Sequence, residues 1–206
     1  MALFHGGRGH LLCGYAYTRI SKNFHTQKTP MYYVIHVETG KEDKVINEIK
    51  RYKDHEDTFE VFTPLMKRLK KFKGEWKDVT VKCFPGYIFV QTDEIKQLFK
   101  DLVYVEGYTR LLGRERGSEN YLPLSEEESR VIDILFNEES DRTTEISDIV
   151  IEEGDKIRVV SGPLMGQEGI IVKKKLHKRL VTIRISFAGR GMDTDVGINI
   201  ITKQNI

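Results

Sequence analysis

Hydrophobic positions alternate with polar ones, or run together, in five segments of the chain between residues 31 and 124. Both patterns are typical of β-strands, and the segments are residues 32–37, 60–72, 76–83, 87–91 and 107–112. Pro64 is expected at an edge or a bulge, because proline has no N–H to donate. Three other segments, residues 41–53, 94–102 and 125–136, carry helical spacing or a helix-start pattern. The order β-α-β-β-β-α-β-α predicts an α+β fold, an antiparallel sheet with flanking helices.

In residues 150–206 the only pattern is the alternation of hydrophobic and polar positions that is typical of β-strands. Short strands are predicted at residues 156–160, 169–173, 180–186 and 195–201, and glycines separate them. Such a pattern is typical of a small, strongly curved barrel. The preceding segment, 137–149, is polar and acidic with too little apolar mass to pack, which predicts a linker. We therefore divide this part of the chain into an N-terminal domain (31–138), an acidic linker (139–149) and a C-terminal domain (150–206).

Residues 1–30 show neither helical nor strand periodicity, and they lack the apolar core of a signal peptide. Met31 then opens the first patterned strand. We interpret residues 1–30 as a disordered leader or a non-native extension, with Met31 as the natural start. An arm that becomes ordered on RNA is the alternative.

Charge is strongly segregated along the chain, although the net charge is only +2. Residues 125–155 contain two basic and twelve acidic residues, whereas residues 156–206 contain ten basic and three acidic ones. Much of this basic excess lies in the run KKKLHKR at residues 173–179. The asymmetry indicates a polyanionic partner for the C-terminal domain. A solvated hairpin tip is the alternative.

The sequence contains no motif for catalysis, metal binding or membrane insertion. It lacks any stretch of about 18 apolar residues, and Cys13 and Cys83 stand in unrelated contexts. The six histidines never stand at metal-ligand spacing with Cys, Asp or Glu. Nucleophile, phosphate-loop and dinucleotide motifs are also missing. We therefore expect a cytoplasmic protein that is not an enzyme, needs no cofactor or metal, and has no membrane partner.

Three segments carry a resemblance to a known family. YYVIHVETGKEDKV (32–45) and KCFPGYIFV (82–90) resemble the first strand and helix, and the Phe-Pro-Gly-Tyr strand, of the NusG family of transcription elongation factors. EGDKIRVVSGPLMGQEGIIVKK (153–174) resembles that family's KOW motif. The resemblance covers about residues 31–206. It implies a monomer in which an NGN-type α/β sandwich is joined to a KOW β-barrel.

The resemblance also implies a polymerase-binding face. In the family the N-terminal domain docks on the clamp region of RNA polymerase and suppresses pausing. By resemblance, Tyr87 and Phe89 supply part of the apolar docking patch, and the period of two places them on one face of their strand. Ile88 and Val90 then point toward the helices. Burial of Tyr87 and Phe89 in the core is the alternative.

A second basic segment, MKRLKKFKGEWK at residues 66–77, is predicted to form a hairpin and holds six basic residues against one acid. Beside the polymerase such a hairpin would lie near upstream DNA, and we assign Lys70, Lys71 and Lys73 to that contact. A solvated face explains the charge equally well. Trp76 either stacks on a base or packs across the hairpin.

Two features depart from the general family pattern. The loop GPLMGQEG (162–169) has Gln167 where the general factor usually carries an aromatic, and the C-terminal domain is unusually basic. Both resemble the LoaP group of specialised NusG-family antiterminators, which implies binding to a hairpin in the nascent RNA of chosen operons. A general elongation factor and a ribosomal-type KOW scaffold are the alternatives. The predicted RNA-binding residues are Lys156, Arg158, Lys173, Lys174, Lys175, His177, Lys178, Arg179, Arg184 and Arg190.

Overall fold

The computed structural model describes residues 31–52, 59–113 and 120–201, so the interpretation of residues 1–30 lies outside it. The strands are β1 (Met31–Val37), β2 (Glu60–Phe62), β3 (Leu65–Phe72), β4 (Glu75–Lys82), β5 (Tyr87–Thr92), β6 (Tyr108–Leu111), β7 (Thr143–Thr144), β8 (Ser147–Glu152), β9 (Lys156–Ser161), β10 (Ile171–Lys175), β11 (Leu180–Phe187) and β12 (Arg190–Ile200). The helices are α1 (Glu42–Tyr52), α2 (Ile95–Leu102) and α3 (Glu126–Leu135). The predicted α+β class is confirmed.

The N-terminal sheet has the strand order β2-β5-β1-β6, with antiparallel pairing throughout. Ile35 pairs with Ile88 in the β1–β5 register. Both side chains are buried in a core that the helices cover, where they join Val45 of α1 and Leu98 of α2. Ile88 thus faces the helices as predicted, and so does Val90.

Pro64 divides the segment 60–72 into two strands instead of one bulged strand. β2 stays in the N-terminal sheet, while β3 leaves it and pairs with β4 in a separate hairpin. The carbonyl of Pro64 accepts the Cys83 N–H at 2.8 Å, but the proline nitrogen cannot donate in return. The ladder therefore cannot continue through this position, and the expectation of a single strand is wrong.

The segment 139–149 is packed, which corrects the expectation of an unpacked linker. β7 pairs in parallel with the start of β3, and β8 pairs in parallel with the end of β12. Thr144 and Ser147 are buried. Strand pairing satisfies their backbone groups, the Thr144 hydroxyl donates to the Leu135 carbonyl, and the Ser147 hydroxyl accepts the Leu164 N–H. Packing here therefore needs little apolar mass.

Arg142 anchors this segment in the interior. Its guanidinium forms an ion pair with Glu60 and donates to the Phe136 carbonyl at 3.0 Å and to the Tyr32 hydroxyl at 3.2 Å. It also lies 4.4 Å from the centroid of the Phe62 ring. Burial alone would lower the pKa of Arg142, but the Glu60 carboxylate raises it, so the side chain stays charged.

The C-terminal region is β-rich, with the strand order β10-β11-β12-β8-β9. The 3-10 turn Glu168–Ile170 contacts β9, at one edge of this sheet, and β11, the strand next to the other edge. The sheet therefore curves back on itself. The sequence missed β8 and placed the start of β12 too late, at residue 195, because the polar residues of 190–194 hide the strand.

One hydrophobic cluster crosses from the N-terminal sheet to the C-terminal sheet. The Phe187 ring of β11 lies edge-on to Phe84 and to Phe89, each at a centroid distance of 5.1 Å. Gly197 permits a close approach of β12 to β3, since a Cβ at this position would lie 2.4 Å from the Lys67 carbonyl oxygen. The two regions therefore share a core in this structure.

Candidate nucleic-acid interface

The basic run at residues 173–179 spans the end of β10 and its connection to β11. A 3-10 turn, Leu176–Lys178, follows the last residue of β10, and Arg179 ends it in a left-handed conformation with φ 53°. The Arg179 N–H donates to the Leu176 carbonyl at 2.9 Å. His177 and Lys178 are exposed at this turn, which is the tip of the β10–β11 hairpin.

Three of the ten predicted RNA-binding residues hold carboxylates of their own sheet, and the sequence did not show this. The pairs are Lys175–Asp195 (Nζ–Oδ1 2.7 Å), Arg184–Asp193 (Nε–Oδ1 2.6 Å) and Arg158–Glu152 (Nε–Oε1 2.8 Å). The guanidinium of Arg184 holds the pKa of the Asp193 carboxyl below its usual range. Asp193 and Asp195 stand two residues apart, and that alternation was the available sign of a shared strand face. The positive charges of these three side chains are therefore already neutralised by carboxylates of the protein.

Two more residues of the set have partners that are not carboxylates. Lys174 Nζ donates to the backbone carbonyl of Asp155. Arg179 donates from Nη1 to Asn199 Oδ1 at 2.9 Å, and its guanidinium lies 4.9 Å from the centroid of the Trp76 ring. Trp76 therefore packs against the C-terminal region, whereas the sequence offered packing across its own hairpin or stacking on a base.

The remaining five predicted residues are exposed and form no ion pair within the described part of the chain; they are Lys156, Lys173, His177, Lys178 and Arg190. Arg190 lies at the far end of β11 from the turn, and eight strand residues span about 23 Å. The structure therefore places the predicted residues in more than one location.

The β3–β4 hairpin lies beside the 176–178 turn. A groove of about 380 Å³ separates them, and we call it the hairpin groove. Eight residues line it: Arg68, Leu69, Lys70, Lys71, Trp76, His177, Lys178 and Leu180. Lys70 and Lys71 were assigned to DNA and His177 and Lys178 to RNA, but all four line this one groove. Lys73 lies in the β-turn at the hairpin tip and is not part of the lining.

The predicted polymerase-binding residues lie on the sheet face opposite α1 and α2. Phe89 has no exposed surface, because Phe62, Phe84 and Phe187 surround its ring. Tyr87 is half-buried, and its ring lies 5.1 Å from that of His36. The C-terminal region thus covers Phe89 in this arrangement.

Neither a metal cluster nor a reactive cysteine is found among the described residues. No group of three or more His, Cys, Asp or Glu side chains there could hold a metal ion. Burial raises the pKa of the Cys83 thiol to about 12, and its Sγ lies 3.5 Å from the Thr194 hydroxyl.

None of the helices within the described ranges is both long and apolar enough to span a membrane.

Comparison with known proteins sets the class. Residues 30–133 match the family model described as "Transcription termination factor nusG", which makes the chain a transcription factor. That match covers half of the chain. The chain therefore belongs to the NusG family.

Similar proteins cover most of the chain. The NusG termination/antitermination protein of Staphylococcus carnosus is 26% identical over 179 residues, which is 84% of this chain and 94% of that protein. That of Thermus thermophilus is 25% identical over 183 residues, covering 84% and 97%. A solved structure, "Domain interaction in Thermotoga maritima NusG", gives a TM-score of 0.46 at 16% identity over 81% of this chain and 93% of that one. The chain is a NusG-like transcription termination/antitermination factor.

Proposed function

We propose that this chain is a processive antitermination factor of the specialised, LoaP-like kind. It docks on the clamp region of RNA polymerase through the β5 face of its N-terminal region and suppresses pausing and termination. Its C-terminal region binds a structured leader RNA, which restricts its action to particular operons. The observation that carries the proposal is the set of exposed cations without internal ion-pair partners, among the described residues, at and near the 176–178 turn.

The unpaired cations support an RNA contact at this turn, and their number limits how many phosphates the contact neutralises. Lys175 and Arg184 already hold carboxylates and gain little from a phosphate. Lys156, Lys173 and Lys178 carry no such partner within the described ranges, and His177 precedes Lys178 in the turn. Neutralisation of about three phosphates gives a slope of roughly −2 to −3 in log K against log salt. The whole basic run would give a steeper dependence.

Polymerase docking through Phe89 requires a rearrangement. The Phe187 ring has to leave Phe89 before a partner can contact that side chain. In this proposal polymerase binds the state in which the two regions are separated, and it shifts the equilibrium by its differential affinity for that state. Tyr87, at the half-exposed start of the strand, is available to the first encounter.

The RNA contact is tested with the full chain, because the two regions share a core. Binding to the leader transcript of the operon beside its gene is compared with binding to a scrambled transcript of equal length. The double variant Lys173→Ala/Lys178→Ala is expected to lose about 10-fold or more in affinity and to flatten the salt slope by about 2.

Arg184→Ala is the matched control, since Arg184 is an exposed but paired cation of the same sheet. It should bind the leader as the parent does. Equal binding of leader and scrambled RNA by the parent would leave only nonspecific attraction and reject operon selection.

A general elongation factor is the second candidate. It is supported by the nearly full-length coverage of termination/antitermination relatives. Met165, 63% exposed in the loop between β9 and β10, offers an apolar contact for a protein partner. Transcription assays on templates with and without the leader separate the candidates, because a general factor acts equally on both.

A further inference from the structure

The hairpin groove brings two basic segments together that lie about a hundred residues apart in sequence. Its walls come from β3 and β4 on one side and from the 176–178 turn on the other. Lys71 and Trp76 are direct cross-strand partners, so they share one face of the hairpin. Lys178 faces the same groove from the C-terminal region. The two basic segments are thus parts of one surface.

The lining of the groove combines apolar side chains with charged ones, and all of the charged ones are basic. It includes Arg68, Lys70, Lys71 and Lys178 and contains no carboxylate. The three lysines form no ion pair with any described residue, and the buried Nε of Arg68 lacks a hydrogen-bond acceptor in the same part of the chain. Like charges that line one groove repel. A bound anion would offset the positive charge of this lining.

The size and the aromatic content of the groove favour one kind of polyanion. About 380 Å³ lies at the small end of the range for small-molecule sites, roughly 300–1,000 Å³. A base with its sugar fits such a space, whereas a duplex does not. Trp76 lines the groove while the Arg179 guanidinium lies against its ring. An indole held in this way provides a surface on which an unpaired base can stack.

We propose that the hairpin groove binds an unpaired nucleotide of the leader RNA. Lys71 and Lys178 hold the flanking phosphates, and the base stacks on the part of Trp76 that lines the groove. This inference rests on the proposed RNA-binding function and adds the N-terminal hairpin to the same site. Lys70 and Lys71 then contact RNA instead of upstream DNA.

The intrinsic fluorescence of the full chain tests the site directly, because Trp76 is its single tryptophan. The probes are a labelled leader hairpin with an unpaired nucleotide, the same hairpin with that nucleotide paired, and a single-stranded DNA of the leader sequence. The unpaired RNA is expected to quench Trp76 emission in step with the anisotropy change of the label.

The paired hairpin should quench less. Binding of the unpaired RNA without any change in Trp76 emission would overturn the groove assignment. Equal quenching by the DNA would overturn the assignment to RNA.

Substitutions in the N-terminal hairpin separate this inference from the proposed function. Lys71→Ala is expected to lower leader affinity about 3- to 10-fold and to flatten the salt slope by about 1. Trp76→Ala should lower it about 5- to 150-fold, and Trp76→Phe should recover part of the loss if both variants fold. Lys77→Ala is the matched control, since Lys77 belongs to the same hairpin but not to the groove lining.

The two possible failures give different results. If Lys178→Ala weakens leader binding while Lys71→Ala and Trp76→Ala do not, the RNA site is confined to the C-terminal region and the composite groove is wrong. If the parent protein does not prefer the leader RNA at all, the proposed function itself fails.

Discussion

The two faces of the N-terminal sheet are packed in different ways. One face, with Ile35 and Ile88, is covered by α1 and α2, which come from the same stretch of chain. The other face, with Phe89, is aromatic and is covered by Phe187 from a strand almost a hundred residues later. The helix face is thus packed by elements of the N-terminal region itself. The aromatic face joins two regions, and it is also the face to which we assign the polymerase.

Phe187→Ala should cause the largest loss of stability, and it should change the packing of the aromatic face alone. Removal of a buried ring costs about 3–5 kcal/mol of unfolding free energy. Denaturant titration should show that loss, and immobilised RNA polymerase should retain more of the variant because Phe89 becomes accessible. Ile183→Ala, in the same buried cluster but without a ring against Phe89, is the control. Equal polymerase binding by both variants would argue against a docking surface beneath Phe187.

Ile88→Ala tests the helix face. The cavity should cost about 2–5 kcal/mol without any gain in polymerase binding, since no docking surface lies there. Ile88→Val should cost about 0.5–1.5 kcal/mol. Circular dichroism during denaturant unfolding measures both. A gain in polymerase binding with Ile88→Ala would erase the distinction between the two faces.

Low pH should lower the unfolding free energy of the protein through Glu42, which lies at the start of α1 on the helix-covered side of the sheet. This carboxylate is almost fully buried; burial alone would raise its pKa, but the N–H groups of Gly86 and Gly40 and the Lys82 ammonium lower it to about 2. Because the folded state favours the charged form, its contribution is complete above about pH 4.5. It is lost as the pH falls toward 2, by up to about 3 kcal/mol.

Glu42→Gln is the control for this pH dependence. The variant should be less stable than the parent at neutral pH, and the difference should shrink between pH 4.5 and 2. A difference that does not depend on pH would show that Glu42 contributes by packing and not by its charge.

Tyr87→Ala should have the smallest effect on stability, about 1 kcal/mol, because the side chain is half-exposed. Polymerase binding and antitermination should nevertheless fall, while leader RNA binding stays at the parent level. A variant that keeps full antitermination would remove Tyr87 from the docking surface.

The sequence could predict what depends on local periodicity. Alternation along β5 indicated that Ile88 and Phe89 face opposite sides, and Ser125 was recognised as the start of α3, where its hydroxyl accepts the Glu128 N–H at 3.2 Å. Contacts between distant segments were not predictable. Nothing near Phe89 points to Phe187, and nothing near Lys175 points to Asp195.

The polar composition of the segment 139–149 wrongly predicted an unpacked linker, because its partners also come from distant parts of the chain. The segment 139–149 holds only two apolar residues, both isoleucines, yet Arg142 packs because Glu60, Tyr32 and Phe136 supply its partners from elsewhere in the chain. Similarly, the charge of the basic run did not show which of its members were already paired.

The parallel pairing of β7 with β3 limits how far the C-terminal region can travel. β7 ends at Thr144 on the N-terminal region, and β8 begins at Ser147 on the C-terminal sheet. Three residue steps reach about 10 Å when fully extended. While β7 stays paired, this short connection lets Phe187 leave Phe89 but keeps the C-terminal region close by. Any wider separation, such as that needed to reach a distant hairpin on the transcript, has to detach β7 from β3 and withdraw the buried Arg142.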